Sequence, residues 1–275
     1  LTKYALECTG DKDAKLFLPL HDSLLTRNVN PESYIREEID WLRSAVPPTK
    51  RNTYKKIKRT GRGYPLDEKY RHLVIDGLSF WEKKMSFVGV TDYLGLSTAL
   101  YFHKRNIAHM YRCVIVDETQ DFGTIELELI RRLVAEAEND LFLCGDVAQQ
   151  VSAKHLSFND AGIDMPAARS LKIKKNYRNS REILTAAYDV LFNNLTDEMM
   201  GSADFEILDP EYANFSAAPP LILKADCLDN EIVYALHYIR EYLESDPGKK
   251  GCLALCGFSL YQIQHFGSMN GLTVL

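Results

Sequence analysis

Four polar residues crowd the end of a short apolar run. Val114, Ile115 and Val116 lead straight into Asp117, Glu118, Gln120 and Asp121. An apolar strand that closes in Asp-Glu suits nucleotide hydrolysis. The Asp holds Mg²⁺ through its water shell, and the adjacent Glu orients and deprotonates the attacking water. A plainer account needs no chemistry, because carboxylates are favourable at the N-terminus of any helix that follows a core strand. Two further segments bear on the choice. LFLCGDVAQQV (141–151) repeats the pattern: an apolar run, then Gly145-Asp146, then Gln149, an amide able to sense a γ-phosphate. LKIKKNYRNSREIL (171–184) supplies Tyr177 as a stacking face, Arg178 as a guanidinium fork for phosphate oxygens, and Ser180 as a helix cap. Each is ordinary alone. In this order and at these spacings they favour a nucleotide site.

Such a site needs strands that deliver their carboxyl ends to one edge of a sheet, where open α/β sheets bind ligands. The periodicity predicts strands over 112–118, 140–146, 169–173, 220–225 and 251–258. Helices are predicted over 124–138, 179–192 and 229–243, with Thr124 as a candidate cap. Strands alternating with helices imply an α/β fold, a parallel sheet with helices on both faces. The preceding hundred residues read mainly as helices, over 31–46, 67–85 and 92–104. Pro31 opens the first and Pro47-Pro48 ends it. Residues 194–219 read as a loop or connection. No internal repeat or low-complexity tract is present.

The bulk numbers suit this organisation. The chain has 275 residues, 46% hydrophobic and 26% charged, enough for one large core or two modest ones. Net charge is -5, so nucleic-acid binding would have to be local. No apolar run approaches the roughly 18–20 residues of a membrane span. The six cysteines form no CxxC pair. Cys113 and Cys144 lie in apolar runs and are expected to be buried, reduced thiols, which suits a cytoplasmic compartment. His21, His103 and His109 lack metal-ligand spacing.

VDETQD, GDVAQQV about thirty residues on, and KNYRNSREIL about thirty further resemble motifs II, III and IV of the UvrD/Rep-like superfamily 1 DNA helicases. The likeness is specific over about 112–190 and weaker elsewhere, although RTGRGYPL (59–66) and Arg71 are similar to a subgroup. The resemblance implies partial RecA-like P-loop NTPase lobes. A mainly helical 1B-like block would span 1–108, the C-terminal half of the first lobe 109–175, and the N-terminal part of the second lobe 176–275. It also implies residue roles. Asp117 would hold Mg²⁺ through water and Glu118 would be the catalytic base. Gln149 would contact the γ-phosphate of ATP and couple it to DNA. Arg178 would be an arginine finger and Tyr177 would stack on adenine. Gln120 and Asp121 complete the DExQD form, and Asp146 would support the motif III turn. Translocation along single-stranded or partly duplex DNA, 3′ to 5′, comes from the family alone. So do DNA repair as a setting and, for a bacterial protein, association with the nucleoid.

The chain departs from the family at one decisive point. It contains no GxxxxGK[ST] phosphate loop, and TGRGYPL has neither its spacing nor its strand–loop–helix context. Without the backbone N–H groups of that loop the β- and γ-phosphates have no cradle. Motifs V and VI are also not seen, and the first residue is Leu. The expectation is therefore an internal fragment of an ATP-dependent helicase, inactive by itself. Where the family often places an aromatic Trp-Arg-Gly-Ala type segment after motif III, this chain has SAKHLSFNDAGI, with Lys154, His155 and Phe158 as substitutes.

A basic, aromatic-laced stretch, KRNTYKKIKRTGRGYPLDEKYR (50–71), is a candidate single-strand track. Lys55, Lys56, Lys58, Arg59 and Arg62 would follow phosphates while Tyr54, Tyr64 and Tyr70 offer stacking faces. A solvated loop with helix-end lysines explains it equally simply. Two other functions stay open: a nucleic-acid-binding regulatory module without turnover, and a metal-dependent nuclease using Asp117, Glu118, Asp121 and Asp146.

Overall fold

The computed structural model describes residues 20–27, 29–59, 62, 64–166, 170–193, 213–245, 248, 250, 253–254 and 260–273. A helical stretch over 20–26 leads into α1 (Pro31–Ala45). The Asn30 side chain caps α1 by accepting from the amides of Glu32 and Ser33, and Pro31 takes the first turn as expected. The helix stops at Val46, before the two prolines. A 3₁₀ helix (Pro48–Lys55) follows, then α2 (Glu68–Val88), which ends on Gly89 in the left-handed region at φ 70°. In α3 (Tyr93–Phe102) the cap is Asp92, which accepts from the Gly95 amide at 2.7 Å. One face of α1, with Tyr34, Ile35, Ile39, Trp41 and Leu42, closes on Tyr54, Leu73, Val74 and Leu78 to form the largest core. Arg43, buried beneath, holds α1 to the start of α3 through a two-pronged pair with Asp92 at 2.7 and 2.8 Å.

The chain then forms one β–α–β unit. β1 (Val114–Val116) lies parallel to β2 (Leu141–Leu143), with Val114 opposite Leu141, Ile115 opposite Phe142 and Val116 opposite Leu143. Between them runs α4 (Thr124–Arg131). Ile125 and Leu129 face Tyr101 of α3, whereas Leu127 and Ile130 pack with Leu141, Leu143, Leu156, Phe158 and Ile163. Among the described residues three further helices follow: α5 (Arg181–Asn193), α6 (Leu228–Ser245) and α7 (Leu260–Met269).

Several expectations need correction. The helix expected to run to 138 ends at Arg131, because Val134 turns inward, 1% exposed, and bridges to Tyr111 beside β1. The α4 cap is Gly123, not Thr124. Glu126 Oε2 accepts from the Gly123 amide, while the Thr124 hydroxyl donates to the His155 carbonyl. The sheet has two strands among the described residues, not a series covered on both faces. Ile115 is 72% exposed and its partner Phe142 59%. On that open sheet Cys113 and Cys144 are exposed free thiols, not buried ones. Residues 170–173 and 220–225 form no strand, having no ladder partner among the described residues. Arg169, most of 194–219 and most of 251–258 lie outside the described residues.

Gly123 marks where the helical part meets the β–α–β unit. A Cβ there would lie 2.5 Å from Ser44 Cβ, 3.2 Å from its Cα and 3.3 Å from its carbonyl oxygen. Backbone cannot yield as a flexible side chain can. Gly123→Ala is expected to cost about 1–3 kcal/mol of stability through overpacking, read as a lowered urea midpoint with an unchanged m-value.

Candidate nucleotide site and basic segment

The exits of β1 and β2 are clamped together by backbone. The Cys144 amide donates to the Val116 carbonyl at 2.9 Å, and the Thr119 amide and hydroxyl both donate to the Cys144 carbonyl, at 2.9 and 2.8 Å. This lock turns the chain sharply after the strand. Glu118 sits at φ 51°, in the left-handed region that a side-chain-bearing residue adopts only under constraint. Asp117, exposed, accepts through Oδ1 from the Glu118 amide at 2.9 Å and from the Cys144 thiol at 3.1 Å. That carboxylate pushes the Cys144 thiol pKa up from its ordinary value, burial adding to the effect, so the thiol stays protonated and donates. Asp117 Oδ2 has no protein donor among the described residues. An exposed carboxylate oxygen left open in this way fits a magnesium ion reached through water.

Behind the strand ends lies Gln120, 4% exposed. Its Nε2 donates to Glu118 Oε2 at 2.7 Å, and its Oε1 accepts from the Asp146 amide at 3.0 Å. Asp146 in turn accepts the Ala148 amide on Oδ1 at 3.0 Å and Gln149 Nε2 on Oδ2 at 2.8 Å. The structure therefore brings together Asp117, Glu118, Gln120, Asp146 and Gln149. The Asp121 side chain is exposed, and its carbonyl accepts from Lys154 Nζ at 3.0 Å. Tyr177, 67% exposed with Lys175 Nζ 5.3 Å from its ring, and the exposed Arg178 follow Asn176, whose side chain accepts the Arg178 and Asn179 amides. Among the described residues no hydrogen bond or ion pair joins Tyr177 or Arg178 to the Asp117–Gln149 group. Ser180 caps α5 as expected, accepting from the Ile183 amide.

The basic segment is organised around one buried acid. Glu38, fully buried on the apolar face of α1, accepts from Arg59 through Oε1 and Oε2, from Arg62 Nε at 3.0 Å and from the Tyr54 hydroxyl. Burial alone would push its carboxyl up. The Arg59 hydrogen bonds and charge, then Tyr54 and Arg62, outweigh this and hold it below the usual carboxylate range. Arg59 also reaches the Tyr64 carbonyl and the Tyr34 hydroxyl, and Arg62 binds Glu37 and the Tyr34 carbonyl. Arg71 donates to the carbonyls of Tyr54, Lys55, Ile57 and Leu66. These three guanidiniums thus build the segment. Lys56 and Lys58 are exposed at its surface and Lys55 is half-buried.

Lys154 and His155 are likewise engaged. Lys154 pairs with Glu126 at 2.8 Å. The His155 ring lies 5.2 Å from Trp41, its amide donates to Ser44 Oγ, and burial pushes its imidazole pKa down from the ordinary value, towards the neutral form. Sequence reasoning missed Glu38, although an acid between Ile35 and Leu42 on an apolar helical face is a readable signal. It also missed the bridging geometry of Gln120, for which only the spacing to Glu118 gave a hint.

Residues 28–163 match the family model described as the UvrD/REP helicase N-terminal domain. The chain is 32% identical over 106 residues to the ATP-dependent DNA helicase UvrD1 of Mycobacterium tuberculosis (strain ATCC 25618 / H37Rv), covering 35% of this chain and 13% of that protein. It is 26% identical over 149 residues to an ATP-dependent helicase/nuclease subunit of Latilactobacillus sakei subsp. sakei (strain 23K), covering 50% of this chain and 16% of that protein. The chain thus spans less than a fifth of the length of these relatives.

Proposed function

We infer, for a chain whose residues 28–163 belong to the UvrD/REP helicase N-terminal domain family, that it forms the nucleotide-hydrolysing edge of an ATP-dependent DNA helicase. The observation that carries this reading is the Glu118–Gln120–Asp146–Gln149 string across two adjacent parallel strand ends. Glu118 takes a proton from water as the water oxygen attacks the γ-phosphorus, and the bond to the β–γ bridging oxygen breaks, releasing ADP and phosphate. Mg²⁺, reached from Asp117 through water, would neutralise charge on the phosphates. Gln149 approaches the γ-phosphate. Arg178 and Tyr177 serve as arginine finger and adenine platform from a second RecA-like lobe that starts near 176, with a 1B-like block up to 108. Asp121 and Asp146 support the turns around them.

DNA contact falls to Lys55, Lys56 and Lys58 on the outer face of the basic segment. Arg59, Arg62, Lys154 and His155 shape the surface beneath. Movement 3′ to 5′ along single-stranded or partly duplex DNA is the family's direction and is carried over as part of the proposal.

The 275 residues hold no GxxxxGK[ST] loop, so ATP turnover needs that loop from additional polypeptide. The same observation favours one second reading, a nucleic-acid-binding module without turnover. ATP hydrolysis with and without single-stranded DNA, measured on this chain and on the product of the whole reading frame, tests both. Negligible turnover by the chain and DNA-stimulated turnover by the longer product are expected. DNA binding with no turnover in either would favour the binding module. Phosphodiester cleavage without ATP would make the carboxylates those of a nuclease.

A further inference from the structure

We propose that Gln120 is a positioning residue that sets the Glu118 carboxylate and the Asp146–Gln149 turn with a single side-chain amide. The proposal rests on the hydrolytic reading above and deepens it. Glu118 leaves β1 at φ 51°, so its backbone alone does not aim its carboxylate along a path the strand would dictate. The contact that fixes that carboxylate comes from Gln120 Nε2 at 2.7 Å. The opposite end of the same amide accepts the Asp146 amide at 3.0 Å. A side-chain amide is neutral, donates through its nitrogen and accepts through its oxygen. Its orientation is set by its partners, a carboxylate that needs a donor and an N–H that needs an acceptor, and the flipped form would lose both bonds.

The surroundings are built to keep that amide in place. Gln120 is 4% exposed, so neither end exchanges its partner readily for water. A Cβ on Gly145 would stand 2.5 Å from Gln120 Oε1 and 3.0 Å from the Thr119 amide nitrogen, so the turn sits directly on the amide only because residue 145 has no side chain. Asp146 then holds Gln149 Nε2 at 2.8 Å. A displacement of the 145–149 turn would therefore reach Glu118 through one side chain. Glutamine at 120 thus couples the position of the base to that of the turn on the neighbouring strand.

The test compares the wild type, Glu118→Gln, Gln120→Met and Gln120→Glu in the whole-reading-frame product, with single-stranded DNA present. Gln120→Met keeps the volume and removes both hydrogen bonds. Its kcat for ATP hydrolysis is expected to fall about 10- to 100-fold, with KM for ATP within about two-fold, because geometry and not binding is lost. Gln120→Glu keeps the acceptor for Asp146 but sets a carboxylate against Glu118, and is expected to fall at least as far. In this 275-residue chain, hydrogen exchange at the Asp146 amide should speed up about ten-fold in Gln120→Met while exchange in α1 and α4 is unchanged. Wild-type kcat in Gln120→Met alongside an inactive Glu118→Gln would overturn the positioning role and leave the hydrolytic reading intact. A fall in kcat matched by faster exchange throughout the chain would reduce Gln120 to a packing residue and also overturn it. A wild type without ATP turnover would remove the hydrolytic reading itself, and the proposal with it.

Discussion

On the proposed hydrolytic reading, Glu118→Gln in the whole-reading-frame product is expected to lower DNA-stimulated ATP hydrolysis by about 10²- to 10⁴-fold, the usual worth of a positioned general base, while DNA binding stays within about two-fold. The substitution keeps the shape of the side chain and removes its ability to accept a proton. Glu118 Oε2 accepts from Gln120 Nε2 in the present structure. A glutamine at 118 presents either an oxygen to that donor, preserving the bond, or an amine that clashes with it, so its amide settles oxygen-first. The fold around it is then undisturbed, since Thr119, Val116 and Cys144 hold the strand exit through backbone and hydroxyl groups independent of the carboxylate. A large loss of kcat with an unchanged KM for ATP, in single-turnover as well as steady-state measurements, would place the loss in the chemical step. Equal turnover in the two proteins would show that Glu118 is not the base. Asp117→Asn offers a contrast, because a weaker hold on magnesium should be partly offset by raising its concentration, whereas Glu118→Gln should not respond.

Much of this site was readable before any coordinates. A strand ending in Asp-Glu and a second ending in Gly-Asp, separated by one helix, forced a parallel pair with both acidic ends on one edge, and β1, α4 and β2 form it. Local signals located Pro31 in the first turn of α1 and Ser180 at the cap of α5 correctly, because they depend on residues a few positions away, whereas the Thr124 hydroxyl is taken by the distant His155 carbonyl and Gly123 is the cap. Failures came where a segment's state depends on distant partners. Leu171 and Ile173 have the composition of a strand, but a strand exists only through its neighbour, and they are 92% and 83% exposed. Val134 continues the helical pattern of α4, yet a long-range bridge to Tyr111 takes it. The basic segment misled in a different manner. Charge counting cannot distinguish an arginine facing solvent from one facing a buried acid 21 or 24 residues earlier, and Arg59 and Arg62 are of the second kind.

That buried acid carries the other large effect. Glu38→Ala is expected to destabilise the chain by about 3–5 kcal/mol, the cost of breaking a buried ion pair from one side. Glu38 is fully buried and accepts from Arg59, Arg62 and Tyr54. Removing it strands a guanidinium that is 8% exposed and leaves the buried Tyr54 hydroxyl without its acceptor. Glu37→Ala is the matched control. Its carboxylate meets Arg62 at 2.6 Å but is 52% exposed, and an exposed pair is worth at most about 1 kcal/mol. Urea unfolding of both variants separates the two cases. The pH dependence adds a second signature. Because the folded state holds the Glu38 carboxyl below its unfolded value of about 4.3, its contribution is complete above that pH and is lost as pH falls through the folded-state value. Wild type should therefore lose stability on acidification below about pH 4, and Glu38→Gln should lose less over the same interval. If Glu38→Ala unfolds no more easily than Glu37→Ala, the Arg59 and Arg62 guanidiniums do not depend on Glu38. They would then be available to phosphates, and the basic segment would regain the wider nucleic-acid track that its composition suggests.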